Sequence, residues 1–193
     1  MRKLLYNMRS DESLMLAYQQ GDSVAFEVLY GRHKNALFAF LYRSSGNAAV
    51  CEELAQEAWM SIIRALERYQ TSAKFKTYLY QVAHNKLVDF WRSNNKRLYD
   101  VDIDGHDVSD TCSSLENSHA SAEARGRISM ALLQLPSDQR DAILLREEGF
   151  SQEQIAEIVG VGRETVKSRL RYASQQLRVL LAEETLTTIG VGQ

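Results

Sequence analysis

The chain has 193 residues, of which 45% are hydrophobic and 25% are charged, and its formal net charge is -2. A single proline and long stretches of 3.6-residue periodicity predict an all-α protein with two small helical domains. Cys51 and Cys112 lack the spacing of a zinc site, and no apolar run reaches the roughly 20 residues of a membrane span. We therefore expect no disulfide, structural metal or membrane insertion, and the lack of a signal-peptide pattern favours the cytoplasm.

Charge divides the chain into unequal segments. Residues 1–97 hold 14 basic and 9 acidic side chains, whereas residues 98–124 hold 7 acidic and no basic ones. This middle segment is rich in Ser and Asp and lacks helical periodicity up to about Leu115, which is typical of a flexible linker. We predict one domain at 1–97, the linker at 98–124, a second domain at 125–182 and a tail at 183–193.

Four helices are predicted in the first domain: near 11–20, from Asp22 to the turn at 44–47, at 48–69 and at 74–92. Ser10 and Asp22 are suitable N-caps for the first two. His33 lies on the apolar side of the second helix, where no other metal-ligand residue follows at i+3 or i+4. We interpret His33 as a core or boundary residue rather than a metal ligand.

The third predicted helix has an apolar side and an acidic side. Cys51, Leu54, Ala58 and Ile62 recur at helical spacing on the apolar side. The opposite side carries Glu52, Glu53, Gln56, Glu57, Met60 and Arg64. An acidic side with an exposed Met is typical of either a solvated surface or a protein-docking surface, and composition leaves both open.

The fourth predicted helix mixes aromatic and basic side chains near its start, namely Lys74, Phe75, Lys76, Tyr78 and Tyr80. Residues 58–97 contain eight basic and two acidic side chains. Such a mixture suits single-stranded nucleic acid, because bases stack on rings while cations neutralise phosphates. Leu79, Phe90 and Trp91 are instead assigned to the core, and Gln81, Asn85, Asp89 and Arg92 form a separate polar side.

The segment SQEQIAEIVGVGRETVKSRLRY, residues 151–172, predicts a helix-turn-helix. Ser151 and Gln154 have the spacing of a capping box, and Gly160 supplies the left-handed residue that ends the first helix. In the second helix the packed stripe is Val166, Leu170, Ala173 and Leu177, and the far side holds Glu164, Lys167, Ser168, Arg171 and Gln175. Residues 163–178 carry five cations and one acid, which is the charge pattern of a helix that faces phosphates. An ordinary helical hairpin with a basic face is the alternative.

Four blocks in this order resemble the extracytoplasmic-function (ECF) sigma factors, the smallest class of the bacterial sigma-70 family. GDSVAFEVLYGRH (21–33) resembles region 2.1, and EELAQEAWMSIIRALERY (52–69) resembles region 2.2. FKTYLYQVAHNKLVDFWR (75–92) resembles regions 2.3 and 2.4, and residues 135–178 resemble region 4. The resemblance implies a sigma region 2 bundle joined to a region 4 helix-turn-helix domain.

The resemblance also implies partners and site residues. Core RNA polymerase would bind through its β′ clamp helices and β flap, promoter DNA would bind at two elements, and an anti-sigma factor is typical of the relatives. The implied polymerase-binding residues are Glu52, Glu53, Gln56, Glu57, Trp59 and Met60. The implied residues for the melted minus-ten element are Lys74, Phe75, Lys76, Tyr78, Asn85 and Arg92. Those implied for the minus-thirty-five element are Arg163, Glu164, Lys167, Ser168, Arg169 and Arg171.

Two positions depart from the family pattern. Val50 stands where an acidic residue usually opens the clamp motif, and Tyr78 stands where Trp is usual. Loss of the carboxylate at Val50 favours weaker polymerase docking, whereas Glu52, Glu53 and Glu57 keep the face acidic, and Tyr78 keeps an aromatic plane.

Nothing in the sequence indicates catalysis or a cofactor, since phosphate-loop and zinc-protease motifs are both lacking. Two other functions remain open: a conventional helix-turn-helix regulator acting without polymerase, and a helical interaction protein without a DNA role.

Overall fold

The structure is a computed structural model that describes residues 6–71, 73–98 and 119–190. Within these ranges the chain forms helices and no strand. The helices are α1 (Asp11–Gln19), α2 (Ser23–Ser45), α3 (Ala48–Arg64), α4 (Phe75–Leu98), α5 (His119–Leu133), α6 (Ser137–Glu147), α7 (Gln152–Val159) and α8 (Arg163–Gly190), with a short 3-10 helix at Leu66–Arg68. The prediction of an all-α protein with two helical domains is confirmed, while residues 99–118 of the predicted linker lie outside the described residues.

Local capping explains where the first helices begin. The Ser10 side chain accepts a hydrogen bond from the Ser13 amide at 3.2 Å, and the Asp22 carboxylate accepts one from the Val24 amide at 3.1 Å. Asn47 accepts from the Val50 amide at 3.1 Å in the same way. These side chains satisfy amides that have no partner within the helix, so both predicted caps are confirmed.

Three helix boundaries differ from the predictions. The third helix ends at Arg64 instead of 69, and a 3-10 turn follows it. The side-chain amide of Gln19 donates to the carbonyls of Leu66 and Glu67, so a contact with α1 stabilises these carbonyls outside an α-helix. α4 continues beyond the predicted end at 92 to Leu98, and α5 begins at His119, inside the predicted linker.

The N-terminal core lies between α2, α3 and α4. Its fully buried side chains include Leu37, Phe40, Ile62, Leu79 and Leu87. Burial of such side chains contributes roughly 1.5–3 kcal/mol each, which makes this packing the main source of stability.

His33 lies at the edge of the N-terminal core. Its Nε2 is 2.6 Å from the Asp11 carboxylate, which also pairs with Arg32 at 2.6 Å. Burial alone would raise the pKa of Asp11, but the hydrogen bonds from His33 and Arg32 lower it below its ordinary value. His33 is thus the boundary histidine that the sequence predicted.

The C-terminal domain contains the predicted helix-turn-helix in α7 and α8. The Ser151 hydroxyl accepts from the Gln154 amide at 3.2 Å, and the Gln154 side chain accepts from the Ser151 amide at 2.9 Å. Gly160 ends α7 with a φ of 68°, a left-handed conformation that favours glycine. The capping box and the glycine turn are therefore both confirmed.

The two domains touch each other. α4 packs against α7, and α2 packs against α5 and α6. None of the described helices is long and apolar enough to cross a bilayer. The buried side chains of both domains form one continuous cluster.

Glu12 provides a test of how α1 supports α4. Its carboxylate accepts a hydrogen bond from the Phe75 amide, the first of α4, at 3.0 Å, and this bond lowers the pKa of Glu12 from 4.5. We expect Glu12→Ala to lower the free energy of unfolding by about 1 kcal/mol at pH 7, as loss of a cap does. Because the folded-state pKa is lowered, this contribution is present above pH 4.5 and is lost as the pH falls through the folded-state value.

Urea unfolding of the wild type, Glu12→Ala and the exposed control Glu67→Ala at pH 7 and at acidic pH measures this effect. A Glu12→Ala difference that stays constant down to the acidic end would contradict the assignment.

Candidate nucleic-acid interface and acidic docking face

Glu52, Glu53, Gln56, Glu57 and Met60 form the acidic face of α3. All five side chains are exposed, with Met60 at 40%. The sequence predicted these residues to share one side, and the structure brings them together. Glu57 is also held by Lys86 of α4, since the Lys86 Nζ lies 3.1 Å from its carboxylate. This ion pair joins the acidic face of α3 to α4.

Trp59, the remaining residue of the predicted clamp motif, lies beneath the surface at 6% exposure. Its ring meets those of Phe26 and Tyr30 edge to face, with centroids 5.8 and 5.1 Å away. These rings help to line a groove of about 540 Å³ between α2 and α3, which Met60 borders. Phe26 and Tyr30 were not among the predicted site residues, although their i, i+4 spacing places them on one side of α2.

The six residues implied for the minus-ten element do not share one face of α4. Lys74 is exposed, Phe75 is fully buried, and Lys76 reaches the C-terminal domain, where its Nζ donates to the Glu148 carbonyl. The Phe75 ring packs 5.6 Å from the His33 ring and 6.4 Å from the Trp59 ring. Successive helix residues turn by about 100°, so three neighbours at a helix start necessarily point to three places. The Phe75 ring is fully buried, so it is not available to stack on a base. The sequence-based expectation for Phe75 overlooked this rotation.

Lys74, Tyr78, Asn85 and Arg92 do lie along one outward side of α4, here called the minus-ten face. Lys74, Asn85 and Arg92 are exposed, and Tyr78 is partly buried. Their spacings of four and seven residues return them to the same side and extend them over about 27 Å. This face offers cations, an amide and an aromatic ring together.

Two tyrosine rings mark the start of the minus-ten face. The centroids of Tyr69 and Tyr78 are 6.0 Å apart. Burial, together with the nearby Glu12 and Asp11 carboxylates, raises the pKa of Tyr69 to about 12, and burial raises that of Tyr78. Both tyrosines are neutral at physiological pH already at their ordinary pKa of 10.0, and the raised pKa values extend this neutrality to more alkaline pH.

On α8, Glu164, Lys167, Ser168 and Arg171 are exposed on the side away from the core and form the reading face. Lys167 lies 3.5 Å from Glu164, and the Arg171 guanidinium lies 4.8 Å from the centre of the Tyr172 ring. The buried Val166 and Ala173 fix the opposite side. This arrangement presents flexible cations and a hydroxyl, the groups that contact base edges and phosphates in a major groove.

The two other implied α8 residues have partners in the C-terminal domain. Arg163 pairs with Glu153 of α7 at 2.9 Å. Arg169 pairs with Asp138 of α6 at 3.0 Å and its side chain is only 23% exposed. Arg169 therefore braces α8 against α6 and lies apart from the exposed reading face.

Two family models match separate parts of the chain. The Sigma-70 region 2 family model matches residues 29–97, and the Sigma-70 region 4 family model matches residues 125–177. The ECF RNA polymerase sigma-E factor of Escherichia coli K12 is 31% identical over 179 residues, which cover 87% of this chain and 92% of that protein. The chain belongs to the ECF group of the sigma-70 family.

Other sigma factors are similar to this chain over most of its length. The ECF RNA polymerase sigma-E factor of Haemophilus influenzae is 30% identical over 177 residues, which cover 87% of this chain and 93% of the relative. Among solved structures, the sigma factor RpoE in complex with the anti-sigma factor NepR from Bartonella quintana superposes with a TM-score of 0.68. That match has 26% identity and covers 81% of this chain and 96% of the other. The chain is therefore an RNA polymerase sigma factor, as its sequence motifs indicated.

Phe75 is buried whereas Lys74 is exposed, so substitutions at these two positions distinguish effects on stability from effects on DNA binding. We expect Phe75→Ala to lower the free energy of unfolding by about 3–5 kcal/mol, because it leaves a cavity between α2, α3 and α4. The neighbouring Lys74→Ala should leave stability within about 0.5 kcal/mol of the wild type, since Lys74 is exposed. Urea unfolding followed by circular dichroism measures both variants. Equal stability of Phe75→Ala and the wild type would refute the core position of this ring.

Proposed function

We propose that this ECF sigma factor uses three separate surfaces during initiation. The acidic face of α3 docks on the β′ clamp helices of core polymerase. The minus-ten face of α4 captures the melted strand, and the reading face of α8 contacts the minus-thirty-five element. Region 4 also meets the β flap, and the chain acts in the cytoplasm as a binding protein rather than an enzyme.

The observation that carries this proposal is the minus-ten face. Extruding a base from the duplex costs a few kcal/mol, so a surface that stacks bases and neutralises phosphates shifts the equilibrium toward the melted form. Lys74, Tyr78, Asn85 and Arg92 offer these groups within one row. A conventional helix-turn-helix regulator binds duplex DNA and has no use for such a row.

An anti-sigma factor is a further proposed partner. The relative from Bartonella quintana was solved in complex with the anti-sigma factor NepR. The groove between α2 and α3 and the acidic face beside it offer a partly apolar surface for a protein partner. We place the anti-sigma contact in competition with polymerase at region 2.

Arg171 tests the reading face. We expect Arg171→Ala to weaken promoter binding by about tenfold, because a bidentate base contact contributes about 1–3 kcal/mol. Arg171→Lys keeps the charge but loses the planar fork, so it should restore phosphate binding and leave base discrimination impaired. Footprinting of the holoenzyme on the promoter of its own gene measures both. An intact upstream footprint with Arg171→Ala would show that the reading face is assigned wrongly.

Glu57 tests the acidic face. We expect Glu57→Ala to weaken binding to purified core polymerase by roughly tenfold, through loss of a charge pair at the interface. Because Glu57 also pairs with Lys86, the matched control is Lys86→Ala, which breaks the same ion pair and keeps the carboxylate. Core binding is measured by fluorescence anisotropy of the labelled sigma factor. Equal weakening by both variants would mean that the ion pair, and not the carboxylate, is what matters.

A further inference from the structure

α1 contacts both ends of the chain segment that connects α3 to α4. At one end, the side-chain amide of Gln19 donates to the carbonyls of Leu66 and Glu67 at 3.0 and 3.2 Å. At the other end, the Glu12 carboxylate accepts a hydrogen bond from the Phe75 amide at 3.0 Å. These bonds join residues that are 47, 48 and 63 positions apart in the chain. One helix therefore sets where the connecting segment leaves α3 and where it enters α4.

The connecting segment has little regular structure of its own. After α3 ends, a 3-10 turn covers Leu66–Arg68, and α4 begins at Phe75. Among the described residues between this turn and Phe75, the chain forms no helix or strand. Backbone without a continuous hydrogen-bond ladder depends on side chains from other elements for a defined position. Gln19 and Glu12 supply such contacts from α1.

Tyr69 follows the 3-10 turn and lies between two rings of α4. Its centroid is 6.0 Å from that of Tyr78 and 6.4 Å from that of Phe75. The Tyr69 hydroxyl is buried, although the residue as a whole is partly exposed. The nearby Glu12 and Asp11 carboxylates add to the rise of the Tyr69 pKa, which places this ring close to α1. Tyr69 is therefore held by α4 on one side and approached by α1 on another.

A fixed connecting segment favours capture of a melted strand. A surface that must become ordered on binding loses part of its binding free energy, whereas a preorganised surface does not. Tyr69 directly follows the turn that Gln19 contacts, and Lys74 directly precedes the amide that Glu12 contacts. Loss of either contact would let Tyr69 or Lys74 shift relative to Tyr78. The two α1 contacts thus act on the start of the minus-ten face.

We propose that Glu12 and Gln19 are positioning residues for capture of the melted minus-ten strand. Gln19 fixes the turn before Tyr69, and Glu12 fixes the first turn of α4, so neither side chain has to touch DNA. The inference rests on the proposed function, since it assumes that the minus-ten face binds a single strand. It gives α1, which carries none of the predicted site residues, a part in promoter melting.

Amide hydrogen exchange in the isolated full-length chain, followed by nuclear magnetic resonance, tests the geometry without DNA or polymerase. We expect Glu12→Ala to speed exchange of the Phe75 amide by roughly tenfold, because this amide loses its acceptor. Glu12→Gln keeps an acceptor oxygen, so its rate should stay within about twofold of the wild type. Gln19→Ala should speed exchange of the Tyr69 amide, whereas Gln20→Ala, at the exposed next position, should not. Wild-type rates in both Glu12→Ala and Gln19→Ala would overturn the proposed contacts.

Binding of the holoenzyme to a pre-melted promoter tests the role in strand capture. The probe is the promoter of its own gene, labelled with a fluorophore and mismatched across the minus-ten element. Charge alone predicts that Glu12→Ala and Glu12→Gln strengthen binding equally, because both remove a negative charge near phosphates. Positioning predicts instead that Glu12→Ala weakens binding by about three- to tenfold and that Glu12→Gln restores it. Equal affinities of the two Glu12 variants would overturn the positioning role of this residue.

Gln19→Ala changes no charge and lies at an exposed position, so it tests positioning without a threat to the fold. It should weaken binding to the same probe by about three- to tenfold, while the matched control Gln20→Ala stays near the wild type. Helical circular dichroism and binding to core polymerase should be unchanged in both. Wild-type affinity of Gln19→Ala despite faster exchange of the Tyr69 amide would overturn its positioning role.

Tyr78→Ala separates this inference from the proposed function. If Tyr78→Ala binds the pre-melted probe as tightly as the wild type, the minus-ten face is wrong and the proposed function fails with it. If Tyr78→Ala weakens binding while Glu12→Ala and Gln19→Ala do not, only the positioning role is overturned. The exchange measurement decides on the α1 contacts in either case, because it contains no DNA.

Discussion

The helical rotation of α4 is the constraint on which the rest of the structure depends. Lys74, Phe75 and Lys76 follow one another in sequence, yet they face solvent, the region 2 core and region 4. Each residue is turned by about 100° from the one before it. One helix therefore faces solvent, the region 2 core and region 4 on three different sides. Burial of Phe75 fixes the rotation of α4 about its axis. The directions of the minus-ten face and of the hydrogen bond from the Lys76 Nζ to the Glu148 carbonyl are then set as well.

The contact between regions 2 and 4 shows why a local rule is broken at Glu147 and Glu148. Acids at a helix C-terminus cost up to about 1 kcal/mol each when they are exposed. Sequence positions that violate local preference without local compensation often mark functional sites. Here the compensation comes from Arg43 and Lys76, which are more than seventy residues away in the chain.

Sequence reasoning succeeded where the signal was local and periodic. The caps at Ser10 and Asp22, the capping box at Ser151 and the turn at Gly160 each depend on residues within one helical turn, and all four are present. Prediction was less successful where a residue type fits two roles, such as an aromatic ring that can stack on a base or pack in the core. Phe75 was grouped with nearby cations because aromatic rings stack on bases, whereas its ring completes the core. The interdomain role of Lys76 could not be found, since nothing near position 76 points to Glu148.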